Sequence, residues 1–198
     1  MNIQPTAKAC VSVLLGSFLF AGGAPPPALA QTSQPAPSST PAQSTVSQWQ
    51  AFTPAKGGFT VTMPGQPTER TQTLNTPAGD MNTYFYSSSV NGGKVSYTVS
   101  YVDLPEGAAG MPPALLLEAI ASGLTGDERV KVLSEKVISL DSHPGREFKL
   151  ESPTKSIVRH RAYLVKQRVY QVVAEVPVAE ESAFGKDIER FLESFKLQ

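Results

Sequence analysis

The chain has 198 residues, with 17 basic and 17 acidic side chains and no net charge at neutral pH. This balance gives no electrostatic reason to bind nucleic acid, so the sequence predicts no nucleic-acid partner. The single cysteine, Cys10, lies in the N-terminal leader described next, so the rest of the chain has neither a thiolate metal ligand nor a cysteine nucleophile.

Residues 1–30 have the pattern of a secretory signal peptide. Lys8 supplies the positive start, residues 9–24 are mostly apolar, and a small-residue cleavage site ends at Ala30. We therefore expect cleavage after Ala30 and export to the periplasm, the cell exterior or, in a photosynthetic host, the thylakoid lumen. The apolar run is short for a membrane span, which needs about 20 residues. Retention as an anchor is the alternative, and no span is expected after cleavage.

Residues 31–48 have the composition of a linker, rich in Pro, Ser, Gln and Thr. They contain no aromatic and no charged residue. Such a stretch buries too little apolar surface to offset chain entropy, so it is predicted to be disordered. From Trp49 onward the patterns of strands and helices begin, and we predict one folded domain over residues 49–198.

The first half of this domain has the pattern of short strands joined by turns. Alternating apolar and polar residues predict strands over residues 49–53, 59–63, 69–74, 81–90 and 94–102. The last two form a predicted hairpin, because Asn91-Gly92 between them tolerates the positive φ angles of a tight turn.

A helix and two further strands are predicted next. Pro112 and Pro113 open a helix whose Leu116, Ile120 and Leu124 are four residues apart and share one face. Strands follow over residues 130–140 and 146–150. We expect Pro144-Gly145 to occupy the middle of a type II turn between these two strands.

The last fifty residues carry the clearest pattern. Residues 157–165 and 168–176 are dense in Val, Ile, Tyr and Leu around Lys166-Gln167, which predicts a hairpin with a two-residue turn. Four apolar residues then recur at helical spacing and predict a helix that packs on this hairpin: Phe184, Ile188, Phe191 and Phe195.

Five phrases together carry a family resemblance. They are residues 58–65 (GFTVTMPG), 97–105 (YTVSYVDLP), 144–148 (PGREF), 161–165 (RAYLV) and 190–197 (RFLESFKL). They resemble bacterial members of the PsbP-like family over roughly residues 49–197. The resemblance implies an α+β fold with an antiparallel sheet sandwiched between helices. Its best-known member, a lumenal photosystem subunit, acts by binding and not by catalysis.

The chain departs from that photosystem subunit at one point. The subunit typically has a tryptophan soon after the proline that ends its early strand, whereas here Pro64 is followed by Gly65, Gln66 and Pro67. No photosystem-binding residue is therefore transferred to this chain, and the resemblance is to the broader, mostly unassigned branch of the family.

A cationic cluster on the last hairpin is the predicted docking patch. It consists of Arg159, Arg161, Tyr163, Lys166 and Arg168, the first three of which share one strand face if the turn has two residues. Such a patch could bind an anionic surface of a protein partner or lipid head groups. The alternative is a solvated face that pairs with acids of the last helix, namely Glu180, Glu181, Asp187 and Glu189.

The two histidines are the only candidates for catalysis. His160 shares a strand face with Val158 and Leu164, which is typical of a structural histidine, and His143 lies in a turn between Asp141 and Glu147. A base or a metal ligand is the alternative at each position. No phosphate-binding glycine motif is present, and no cofactor is predicted.

These patterns favour an exported, non-catalytic binding or assembly module with a protein partner at or near a membrane. Two alternatives remain from other classes. One is a carrier of a small apolar molecule held between sheet and helix. The other is a hydrolase that uses His160 or His143.

Overall fold

The computed structural model describes residues 48–76, 79–108 and 110–198. The predicted signal peptide and nearly all of the predicted linker lie outside the described residues. The first described element begins at Trp49.

Ten strands and two helices make up the described fold. The strands are β1 (Trp49–Phe52), β2 (Phe59–Pro64), β3 (Thr68–Thr76), β4 (Gly79–Val90), β5 (Val95–Asp103), β6 (Lys131–Leu140), β7 (His143–Glu151), β8 (Ser156–Val165), β9 (Arg168–Pro177) and β10 (Lys196–Leu197). The helices are α1 (Pro113–Thr125) and α2 (Glu181–Ser194). The predicted order of strands and helices is confirmed, and β10 is a short strand that the sequence patterns did not predict.

Seven strands form the main sheet in the order β3-β4-β5-β9-β8-β7-β6, and all its neighbours are antiparallel. The other three form a small antiparallel sheet in the order β1-β2-β10. The α+β class and the antiparallel sheet are thus confirmed. β3 and β6 are the two outer strands of the main sheet, which leaves each with a strand neighbour on one side only within the described residues.

The two-residue turns set the register of the sheet. Lys166 has a φ of 55°, and Val165 pairs with Arg168, so the predicted Lys166-Gln167 turn is confirmed. The prediction of a type II turn at Pro144-Gly145 is wrong. The chain instead turns at Asp141 and Ser142, whose φ angles of 47° and 69° fit a tight hairpin connection.

Gly145 consequently lies inside strand β7, where it pairs with Ile138 and Tyr163. A Cβ atom at this position would stand 2.6 Å from the carbonyl oxygen of Ala162 and 2.6 Å from the ring of Tyr163. Glycine is required here by the close approach of β8 and not by a turn.

Alternation along each strand divides the core into two apolar clusters. On β8, Val158 and Leu164 belong to a cluster that includes the buried residues of α1. Ile157 and Tyr163, of the other parity, belong to a cluster that includes α2, β2 and Phe195. Neighbouring residues of this strand therefore point into different packed layers.

Candidate functional site: a buried arginine cluster and an exposed edge strand

Two of the five predicted patch residues meet on the α2 side of β8. The side chains of Arg159 and Arg161 are each 17% exposed, and both bind the carboxylate of Glu147 on β7. Arg159 donates to Oε1 at 3.0 Å, and Arg161 Nε donates to Oε2 at 2.5 Å. One acid thus serves two guanidinium groups beneath the helix.

Helix α2 completes the binding of these arginines. Arg159 Nη1 donates to Glu189 Oε1 at 2.7 Å, and Arg161 Nη1 donates to the carbonyl oxygen of Leu192 at 3.1 Å. The predicted alternative was a solvated face paired with acids of the last helix: the pairing is confirmed at Glu189, but the solvated face is wrong because both arginines are largely covered. The Arg159 and Arg161 charges are therefore largely neutralised inside the fold, and we name Glu147, Arg159, Arg161 and Glu189 the arginine cluster.

The pKa of Glu147 reflects two opposing effects. Burial alone would raise the pKa of this carboxyl, but the charges and hydrogen bonds of Arg161 and Arg159 together hold it below its ordinary value of 4.5. Glu147 is consequently ionised at neutral pH, which keeps both arginines paired.

The other patch residues lie elsewhere. Tyr163 is buried, and its ring stacks on that of Phe195 at 5.9 Å between centroids. Lys166 is exposed at the tip of the β8–β9 hairpin. The five residues are thus spread over a covered cluster, a core position and a hairpin tip, because α2 closes over the face that carries Arg159, Arg161 and Tyr163. Their docking role stays a prediction.

Arg168 fixes the small sheet onto the large one. Its guanidinium donates to both carboxylate oxygens of Asp103, at 2.6 and 2.8 Å, and to the carbonyl oxygens of Lys56 and Gly57. The same group lies 4.4 Å from the ring centroid of Tyr101. These contacts attach the β1–β2 turn to strands β5 and β9 and give Arg168 a structural use.

His160 lies in the core on the opposite face of β8. It is 2% exposed, and its Nε2 is 2.8 Å from Oε1 of Gln171, which makes Nε2 the donor. Its Nδ1 has no hydrogen-bond partner within the described part of the chain. Burial lowers the pKa of His160 from 6.5 to about 4, so the ring is neutral at physiological pH.

The cavity beside His160 bears on the carrier alternative. It has a volume of about 60 Å³ between the sheet and Leu124 of α1. A cavity that binds benzene is larger, roughly 150 Å³. This space suits water-sized occupants and does not favour a carrier of larger apolar molecules.

His143 begins strand β7, where it pairs with Leu140, and it is half-buried. Its predicted neighbour Glu147 points to the arginine cluster. No group of three or more His, Cys, Asp or Glu side chains suited to a metal ion occurs in the described residues.

The outer strand β6 is a surface that the sequence patterns did not single out. Val137 is 85% exposed, and Val132 and Leu133 nearby are also exposed. Val137 lies opposite Arg146 of β7, which binds Glu118 of α1 at 2.8 Å and Glu135 of β6 at 2.6 Å.

Leu115 adds an exposed apolar side chain from α1. It precedes Glu118 by three residues, so both share one side of the helix, and Glu118 reaches across to Arg146. We name Leu115, Val132, Leu133 and Val137 the β6 rim: three exposed apolar side chains of a ten-residue outer strand and one of α1, which Arg146 links to β6 through Glu118 and Glu135.

The signal for the rim was present but incomplete. The β6 sequence KVLSEKVISL has apolar residues of both parities, which is typical of a strand covered on both faces. Only the strand order shows that β6 is an outer strand, and strand order depends on tertiary pairing.

Comparisons with known proteins address the fold. No family model matches the chain, and no curated protein matches it by sequence. The solution structure of cyanobacterial PsbP (CyanoP) from Synechocystis matches with a TM-score of 0.54 at 6% identity, covering 82% of this chain and 98% of that one. The chain therefore has the PsbP-like fold that its sequence phrases predicted.

Two further solved structures are similar at lower scores. LpqN of Mycobacterium tuberculosis, described as involved in cell envelope biogenesis, gives a TM-score of 0.46 at 11% identity over 76% of this chain and 91% of that one. PA94 of Pseudomonas aeruginosa, described as a protein of unknown function and putative regulator, gives a TM-score of 0.38 at 10% identity. The match covers 71% of this chain and 91% of that one.

Neither α1 nor α2, nor any other helix within the described ranges, has the length and apolar character needed to cross a bilayer.

Proposed function

We propose that the chain is an exported, non-catalytic binding module that docks, through the β6 rim, on an extended segment of a membrane-associated protein. The proposal includes export with cleavage after Ala30. It also takes α1 and α2 to cover opposite faces of the main sheet, which leaves the rim as the apolar margin of the layered fold.

The observation that carries the proposal is the exposure of Val137 on an outer strand. An edge strand offers a row of backbone N–H and C=O groups to which another extended segment can pair. Exposed apolar side chains beside such an edge add area that is favourable to bury, at roughly 25 cal/mol per Å². The rim thus offers an added strand both backbone groups to pair with and apolar side chains to pack against.

Two features make the rim selective. Lys131 and Lys136 place positive charges along the strand, which discourage unrestricted pairing between edges. The bulge between Val132 and Ser134 interrupts the ladder near one end. A partner segment must therefore accommodate this bulge, where Leu133 lies, as well as pair around Val137.

The arginine cluster supports a docking role less well. Arg159 and Arg161 have their charges satisfied by Glu147 and Glu189, so a partner would have to compete with these acids. Lys166 is the member of the predicted patch that a partner reaches freely.

The experiment is site-specific photo-cross-linking in envelopes of the source organism. A photoreactive amino acid is placed at Val137, at Lys166 on the predicted patch, or at Val178, an exposed valine away from β6. We expect a discrete cross-linked protein from position 137 alone. Leu133→Lys in the same chain should remove it, because it introduces a charge into the rim.

The opposite pattern would overturn the proposal. A product from position 166 and none from 137 would return docking to the predicted patch. Equal products from 137 and 178 would mean that the cross-links report random encounters.

A further inference from the structure

The β6–β7 hairpin determines which backbone groups of β6 point away from the sheet. Its two-residue turn makes Leu140 and His143 the closing pair, which exchanges hydrogen bonds across the turn. In an antiparallel ladder, such bonded pairs alternate with pairs whose backbone groups do not bond to each other. The next pair, Ser139 with Pro144, is therefore of the unbonded kind, which agrees with the missing N–H of proline.

Counting by two from Ser139 gives the residues whose backbone faces outward. Val137 lies opposite Arg146 and Glu135 lies opposite Phe148, and both pairs are again of the unbonded kind. The bulge of β6 lies outside this stretch. The N–H and C=O groups of Glu135, Val137 and Ser139 consequently point away from β7, to the side where the described residues place no further strand. An added segment would pair at these three positions.

The side-chain chemistry around Val137 is apolar and acidic on the α1 face of the sheet. Val137 shares this face with Arg146, because opposite residues of a ladder point the same way and Arg146 binds Glu118 of α1. Glu135 lies on the same face and also binds Arg146. Two acids thus share one arginine beside Val137, so a further acid from a partner would be repelled on this face.

Lys136 gives the opposite face of this edge a positive charge. Its two sequence neighbours point to the α1 face, so Lys136 points to the α2 face. It is exposed and makes no ion pair within the described part of the chain, whereas Lys131 of the same strand has Glu151 at 3.6 Å. Glu147, which lies opposite Lys136 on β7, is already bound within the arginine cluster. The charge of Lys136 is therefore available to a partner.

We infer that the segment docked on β6 runs antiparallel to it and carries a large apolar residue opposite Val137, followed directly by an acid opposite Lys136. The apolar residue packs beside Val137 on the α1 face, and the acid pairs with Lys136 on the α2 face. All neighbouring strands of the main sheet are antiparallel, and this pairing is also slightly the more stable per residue. This partner chemistry rests on the proposed function and names what the β6 rim would recognise.

The test compares two capped peptides of the same composition, TTVVETT and TTVVTET, in NMR titrations of the isotope-labelled full chain. With the second valine opposite Val137, the first peptide places its acid opposite Lys136 and the second places it opposite Glu135. We expect the first peptide to bind at least about fivefold more tightly, because the second exchanges an opposite-charge pair across strands for a like-charge pair.

The amide signals check the geometry of pairing. Those of residues 135, 137 and 139 should shift on binding, because their N–H groups gain a hydrogen-bond partner. Those of residues 136 and 138, whose N–H groups already bond to β7, should shift less. The reverse pattern would overturn the inference.

Two variants control for the charge. Lys136→Glu should abolish the preference for the first peptide, whereas Lys94→Glu, at an exposed lysine between β4 and β5, should retain it. Equal binding of the two peptides to the unaltered chain, no binding of either, or a preference that survives Lys136→Glu would each overturn the inference.

These outcomes are separate from those of the cross-linking experiment. A cross-linked protein from position 137 together with equal or absent peptide binding would leave docking at the rim in place and overturn the partner chemistry. A preference for the first peptide without any cross-link from position 137 would support the chemistry of the edge and contradict docking on an envelope protein.

Discussion

The arginine cluster and the β6 rim reverse the solvent exposure that the polarity of their side chains suggests. Arg159 and Arg161 are charged, yet α2 covers them and acids neutralise them. Val137 is apolar, yet it is 85% exposed. The difference shows that charge and exposure are not linked at these two places: the charges of Arg159 and Arg161 belong to the internal structure, whereas the apolar side chain of Val137 lies at the surface.

The largest expected effect concerns the cluster. Glu147→Ala removes the acid that two arginines share, so Arg161 stays partly buried without its acid partner while Arg159 keeps only Glu189. Breaking such an arrangement should lower the free energy of unfolding by about 3 kcal/mol. Urea unfolding measures this loss.

The control for this variant is Glu193→Ala, at an exposed acid on α2, which should change the free energy by no more than about 0.5 kcal/mol. If both variants lost the same small amount, the cluster would not be a structural element, and the contrast with the rim would fail.

The second expected effect is a pH dependence of the free energy of unfolding, which compares a covered histidine with a more exposed one. His160 has a pKa of about 4 in the folded chain against 6.5 ordinarily, so the unfolded chain binds the proton more tightly. Stability should be unaffected above pH 6.5 and should fall by about 3 kcal/mol as the pH drops to 4. Glu147, with its depressed pKa, adds a further loss below about pH 4.5.

Two variants isolate the histidine contribution. His160→Gln should flatten the pH dependence between 6.5 and 4, whereas His143→Gln, at a half-buried strand end, should retain it. Free energies of unfolding across this pH range give the answer. An unchanged slope in His160→Gln would show that His160 is not the buried group responsible.

Local patterns were sufficient for most of the fold. The spacing of Leu116, Ile120 and Leu124 predicted α1, and the Lys166-Gln167 break predicted the last hairpin, because both depend on residues close in sequence. Pro144-Gly145 led to a wrong turn prediction because the glycine is needed for the close approach of β8. A local turn pattern carries no information on such a contact between strands.

The candidate site was harder to predict because it depends on which elements lie side by side. Sequence alone placed Arg159, Arg161 and Tyr163 on one face and predicted a last helix packed on the hairpin, which is correct, but it did not decide whether that helix covers this face. The exposure of Val137 follows from the position of β6 at the end of a seven-strand order, which arises only when all strands have paired.

The most direct test of the account is hydrogen exchange of the strand amides in the source envelope fraction, compared with the purified chain. We predict that amides of residues 131–140 exchange at least about tenfold more slowly in the envelope, with no change in residues 156–168. Val137→Lys should abolish this protection while its free energy of unfolding stays within about 0.5 kcal/mol of the unaltered chain. Protection of residues 156–168 with none in β6 would contradict the account.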